Sequence, residues 1–111
     1  MGAYNEVLGT AECPRCHNKV EAVIQFKYGA TAHHVYHLGD ILIWGANDIG
    51  IPGVAEVIVD GEGEGSCPRC GFNEDWPIVI TVHRDRLVSL SRANGEYDFS
   101  QGHEGFIVLQ S

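Results

Sequence analysis

Apolar and polar positions alternate through residues 20–28. Val20, Ala22, Ile24, Phe26 and Tyr28 fall on one side, and Glu21, Gln25 and Lys27 on the other. A period of two marks a half-buried strand. Upstream, residues 3–12 predict a short strand or an extended lead-in. Downstream, Gly29-Ala30-Thr31 breaks the pattern, and residues 33–38 and 41–44 predict two short strands around a turn at Gly39-Asp40. Residues 45–53 read as a loop by their Gly, Asn and Pro content. Residues 54–59 predict a strand with Val57 and Val59 on one face, and Asp60-Gly61-Glu62-Gly63-Glu64-Gly65 an acidic loop after it. Residues 76–83 predict a strong strand with Pro77 at its start or edge, because proline has no amide hydrogen for the ladder. Residues 86–91 predict another strand, Asn94-Gly95 a turn, and residues 97–99 and 106–109 two closing strands. No amphipathic helix longer than two turns is present. The pattern predicts an all-β chain.

Length and composition narrow this further. The chain has 111 residues, which suits one domain spanning 1–111. Its 44% hydrophobic content argues against global disorder. No run approaches the ~20 apolar residues of a membrane helix. The first ten residues lack the basic and apolar regions of a signal peptide. A reducing cytoplasm is the expected setting, where Cys-x-x-Cys pairs hold metal more often than they form disulfides.

All four cysteines lie in one tetrapeptide used twice, Cys13-Pro14-Arg15-Cys16 and Cys67-Pro68-Arg69-Cys70. Two such pairs make the four-thiolate set of a tetrahedral zinc site. Two intervening residues let both sulfurs of a pair turn toward one ion at about 2.3 Å. The residue after the second cysteine usually has positive φ. Gly71 suits that conformation, and His17 departs from it, although histidine tolerates it better than most residues. Four thiolates leave no open coordination position, so the zinc is expected to be structural. Iron would accept the same ligands. A thiol redox pair is a further reading, against which two identical pairs argue. Cys13-Pro14-Arg15-Cys16-His17 also matches the haem c attachment motif, but it has a matching partner pair and no export signal beside it.

Cys67-Pro68-Arg69-Cys70-Gly71 resembles the knuckle of zinc ribbons and rubredoxins, and Cys13-Pro14-Arg15-Cys16 resembles its partner. The resemblance covers the two motifs and their flanking strands. It implies a ribbon-type core of antiparallel hairpins with a large β insertion between the knuckles, and no activity. Leu38-Gly39-Asp40, residues 44–50 and Val59-Asp60-Gly61 also resemble small uncharacterised bacterial proteins, which implies no function either.

Charge points to the kind of partner. The formal charge is −8, and a dication on four thiolates makes it more negative. A polyanion is repelled, which disfavours nucleic acid. The insertion, residues 28–66, carries Asp40, Asp48, Glu56, Asp60, Glu62 and Glu64 with no Lys or Arg. Such a surface suits a basic protein. The candidate contact residues are Asp40, Trp44, Asn47, Asp48, Asp60, Glu62 and Glu64, with Trp44 equally suited to the core.

Other constellations carry less. His33 and His37 share a strand face but stand about 13 Å apart, too far for one ion without a bend. His34, His83 and His103 receive no role. The acidic stretch 60–64 lacks the spacing of a calcium loop. No nucleophile elbow, phosphate loop or His-Glu-x-x-His motif is present, so no enzyme is expected. The expected function is a zinc-stabilised protein-binding module, in its concrete form an acidic inhibitor or immunity protein that neutralises a basic toxin or nuclease. The alternatives are a nucleic-acid-associated zinc ribbon and a rubredoxin-like iron electron carrier.

Overall fold

The computed structural model describes residues 4–45, 48–64, 66–73, 76–93 and 105–110. Among them there is no helix, and the chain is all-β. Its organising units are two antiparallel hairpins. The first joins β1 (Asn5–Glu12) to β2 (Lys19–Phe26), in register from Asn5↔Phe26 to Glu12↔Lys19. The second joins β6 (Glu56–Gly63) to β7 (Pro77–His83), from Val57↔Val82 to Glu62↔Pro77. β2 and β6 pair antiparallel through Ile24↔Gly63, so the hairpins lie side by side with both tips at one end.

β8 (Arg86–Arg92) extends the sheet beyond β7. β4 (Val35–His37) adds to the far edge, parallel to β1. β9 (Phe106–Gln110) pairs with β6 along residues 56–59, on the edge that β2 occupies at residues 61–63. The sheet curls until β1 packs near β8. Residues 39–42 close part of the gap: Gly39 N–H donates to Leu87 O, Leu87 N–H to Asp40 O, and Ile41 bridges Arg86. Inside the curl lie Val7, Ile24, Phe26, Tyr28, Val57, Val59, Trp76, Ile78, Ile80, Val82 and Leu87. The alternation read from residues 20–28 appears as expected, with Val20, Ala22, Ile24, Phe26 and Tyr28 all buried, although the strand itself ends at Phe26.

Four expectations need correction. The acidic stretch is not a loop, because β6 runs through Asp60, Gly61, Glu62 and Gly63. Its glycines face inward at close approaches: a Cβ on Gly61 would lie 2.7 Å from Ile24 Cγ2, and one on Gly63 2.9 Å from the Trp76 ring. Acid outward and glycine inward is strand alternation with the smallest inward residue. Residues 41–44 are not a strand; Ile41 makes one bridge, and Leu42 turns inward where its amide reaches Asp85 O. The strand over 33–38 shrinks to Val35–His37, since His33 sits at φ 59°. Gly29–Ala30 and Asp48–Ile49, read as a break and a loop, pair as β3 and β5. Asn94-Gly95 and the strand over 97–99 lie outside the described residues.

Candidate metal centre

Each Cys-Pro-Arg-Cys motif occupies the tip of one hairpin, and the two tips have the same internal wiring. In the first, Cys13 N–H donates to Asn18 O at 3.0 Å and His17 N–H to Cys13 O at 3.0 Å. In the second, Cys67 N–H donates to Phe72 O at 2.8 Å and Gly71 N–H to Cys67 O at 2.9 Å. His17 has φ 61° and Gly71 φ 76°, so both tips take the left-handed residue their wiring requires. Only the second places a glycine there. Arg15 N–H points back at Cys13 Sγ, 3.4 Å away.

Pairing of β2 with β6 brings the tips together. The sulfurs of Cys13, Cys16, Cys67 and Cys70 all lie within 4.8 Å of one another. Cys13 Sγ is 3.7 Å from Cys70 Sγ, and Cys16 Sγ is 3.8 Å from Cys67 Sγ. A tetrahedron with metal–sulfur bonds of about 2.3 Å has edges of about 3.8 Å. The donor set therefore fits one tetrahedral metal ion, consistent with a zinc-ribbon-like centre. All four cysteines are free; Cys13 and Cys67 are buried, and Cys16 and Cys70 are partly exposed.

The thiols titrate unequally. The Asn18 amide holds Cys16 down at about 6. Burial opposes ionisation of Cys67, but the amides of Arg69 and Cys70 outweigh it and lower its pKa. The Phe72 amide favours the Cys70 thiolate, yet burial and the three neighbouring sulfurs push it up to about 11. Four sulfurs this close resist ionising together. A bound dication supplies the positive charge that lets all four be thiolates.

The hairpins are also tied beside the sulfurs. Trp76 Nε1 donates to Glu12 O at 3.0 Å. Arg92 Nη1 at the end of β8 reaches Glu12 Oε2 at 3.1 Å, and His17 Nδ1 lies 3.1 Å from the same oxygen. His17 and Arg92 together lower the pKa of the Glu12 carboxyl.

The other candidate residues separate into two groups. Asp40 and Asp48 are exposed at the end opposite the knuckles, where Asp40 caps the His37 amide and Asp48 accepts from Gly45 N–H. Trp44 at that end is half-buried, edge-on to Tyr28 at 5.5 Å, and among the described residues its buried indole nitrogen has no partner. Asp60, Glu62 and Glu64 lie along β6 and its exit, toward the metal end, where Gln25 hydrogen-bonds Glu64. Asn47 lies outside the described residues. The acidic insertion does not form a face of one sign, because the β7–β8 turn brings Arg84 and Arg86 to the same end as Asp40; Arg86 Nη1 donates to Gly39 O. His33, His34 and His37 form no metal-ligating group among the described residues; His33 pairs with Glu6 and His37 with Asp40.

Two features were not singled out from the sequence. Ile41, Ile43 and Ile51 are about half exposed on the loops at the end opposite the metal. Asn5, fully buried, pins the neighbouring segment 28–34: its Nδ2 donates to Tyr28 O and Ala30 O, and its Oδ1 accepts from His34 N–H, while Ala30 N–H donates to Ile43 O and the Tyr28 hydroxyl to Ile51 O. Ile41 and Ile43 alternate with buried Leu42, a pattern that also reads as a strand.

No helix among the described residues is long and apolar enough to cross a membrane. Comparison with family models, with curated proteins and with solved structures gives no match to this chain.

Proposed function

We propose that this chain is a zinc-stabilised β module that works by binding another protein. The observation that carries the reading is the division of the fold into two ends. One end holds a four-thiolate set that a single ion would fill, leaving no coordination position for a substrate. The other presents Ile41, Ile43 and Ile51 on loops hydrogen-bonded to the sheet and its turns, beside Asp40 and Asp48. Apolar side chains ringed by polar ones are the usual anatomy of a protein interface, and loops on a rigid scaffold are where such sites sit.

The net charge of −8 supports a basic partner, and an inhibitor or immunity-type protein that covers a basic toxin or nuclease is the concrete form. Zinc as the resident ion, the cytoplasm as its place and a non-enzymatic role belong to the same proposal.

The test has two parts. Elemental analysis of the purified protein is expected to give one zinc per chain; a coloured, iron-containing protein would support the electron-carrier alternative. A basic protein encoded beside this one is expected to co-purify, with binding weakened by salt and by Asp40→Lys or Asp48→Lys. Binding that ignores salt and both charge reversals would remove the electrostatic part of the proposal. Retention on DNA resin at moderate salt would favour the nucleic-acid alternative.

A further inference from the structure

We infer that the four-cysteine clasp is convertible: hydrogen peroxide turns it from a thiolate set into two disulfides that join the knuckles to each other, Cys13 to Cys70 and Cys16 to Cys67. The inference rests on the sulfur geometry and holds whether or not a protein partner exists.

All four cross-knuckle sulfur pairs lie within 4.8 Å, and two of them, Cys13–Cys70 and Cys16–Cys67, stand at 3.7 and 3.8 Å. These two share no atom, so both can close at once. A disulfide needs about 2.05 Å, which each pair reaches if each sulfur moves by about 1 Å. Each pair also combines a partly exposed cysteine with a buried one: Cys70 with Cys13, and Cys16 with Cys67. This arrangement supplies an attacked thiol and a resolving thiol. Pairing within a knuckle would leave no tie at the sulfurs themselves once the ion is gone, only the Trp76–Glu12 and Arg92–Glu12 contacts behind them. Pairing across the two tips replaces the ion's tie with a covalent one.

The chemistry balances. The thiolate of Cys16 or Cys70 attacks one peroxide oxygen, the O–O bond breaks, and hydroxide leaves a sulfenic acid on that sulfur. The buried thiolate from the opposite knuckle attacks this sulfur, the S–O bond breaks, and a second hydroxide leaves. For each pair, two thiolates give two electrons to one peroxide, and the two hydroxides take up protons to become water. With both pairs closed no thiolate remains to hold a metal.

The sequence provides a direct readout. Trypsin cleaves after Arg15 and after Arg69, inside each knuckle, so the four cysteines fall on separate peptides, 1–15, 16–19, 28–69 and 70–84. The zinc-loaded protein is treated with hydrogen peroxide, released zinc is followed with a chromogenic chelator, and remaining thiols are alkylated before a non-reducing digest. The expected result is peptide 1–15 joined to 70–84 and 16–19 joined to 28–69. Zinc release should parallel these links, the β circular dichroism should persist, and dithiothreitol with zinc should reverse the change. Peptide 1–15 joined to 16–19 would overturn the inference. So would sulfinic or sulfonic acids in place of disulfides, loss of the β signature on zinc release, or a metal site that peroxide leaves unchanged.

Discussion

The indole nitrogen of Trp76 donates to the carbonyl oxygen of Glu12 at 3.0 Å, which links the residue before β7 to the residue before the first knuckle. The ring is 2% exposed and lies over Gly63, so a single side chain binds both hairpins just behind the sulfurs. Trp76→Phe keeps most of the packing and orphans one carbonyl, which should cost about 1–2 kcal/mol. Trp76→Ala also opens a cavity and should cost about 3–5 kcal/mol. Urea unfolding at fixed zinc concentration measures both. Equal losses would mean that the hydrogen bond, and not the packing, carries the contribution.

Metal removal should do far more than any of these changes. Structural zinc sites contribute about 10–16 kcal/mol in small peptides, whereas whole domains are stable by about 5–15 kcal/mol. Chelation under reducing conditions, or Cys13→Ser or Cys67→Ser, should therefore abolish cooperative unfolding or lower the midpoint by tens of degrees. The knuckle ends of β1, β2, β6 and β7 should lose amide-exchange protection first. A chelated, reduced sample that keeps its thermal midpoint would show that the β core stands without the ion.

Gly61→Ala tests the inward glycines of β6. The substitution gains roughly 0.5–1 kcal/mol of backbone propensity. Against this, its Cβ would meet Ile24 Cγ2 at 2.7 Å and Ile80 Cδ1 at 3.0 Å, and overpacking of a tight core costs about 1–3 kcal/mol. The clash should win, for a net loss of about 1–2 kcal/mol. Glu62→Ala, one position along on the exposed face, should change stability by no more than about 0.5 kcal/mol. Thermal unfolding of the pair would settle the assignment of residues 60–63 to a strand.

What could be read in the sequence follows from how each signal arises. The two knuckles and the alternation of residues 20–28 are local patterns, and local chemistry fixes them. The Asp60–Gly63 stretch misled because glycine signals a turn, and only the positions of Ile24 and Trp76 reveal that it lines a core. The β7–β8 turn carried no Gly or Asn signal; Arg84 and Asp85 adopt φ 48° and 68° because the flanking strands require it. The acidic insertion looked one-signed in sequence, but the fold sets Arg84 and Arg86 against it. Asn5 gave no signal at all, since its importance lies in three partners 23 to 29 residues away.

Asn5 makes the prediction most remote from any motif. Asn5→Ala would leave the Tyr28 carbonyl and the His34 amide without the partner Asn5 gives them, while Ala30 O keeps Ala32 N–H, and should cost about 2 kcal/mol or more. Asn5→Asp should cost still more, because a carboxylate facing Tyr28 O and Ala30 O has no hydrogen to donate. The loops holding Ile41, Ile43 and Ile51 should loosen before the metal end does. Amide exchange at Ala30 and His34 reports this directly, and unchanged protection there would contradict the wiring.

Asp60 gives a prediction in pH. Asp60 faces outward from β6 and is exposed, yet partial desolvation against the sheet, with the Glu62 charge as a second cause, raises its carboxyl above the ordinary value, an effect that solvent screening keeps small. The unfolded chain ionises Asp60 first, near pH 3.9, while the fold still holds the proton. Stability is therefore undiminished below that pH, falls as pH rises to the raised folded value, and stays reduced above it. Asp60→Asn removes this penalty, so the variant should be the more stable protein at pH 7. The gap should close as the pH falls toward about 3.9. Acid also strips metal from thiolates, but it does so in both proteins, so the difference between their urea midpoints at each pH isolates residue 60. Glu62→Gln should shift stability in the same direction by less, because it removes only the lesser cause. A variant less stable than the parent at pH 7 would mean that the carboxylate has a favourable partner in the fold.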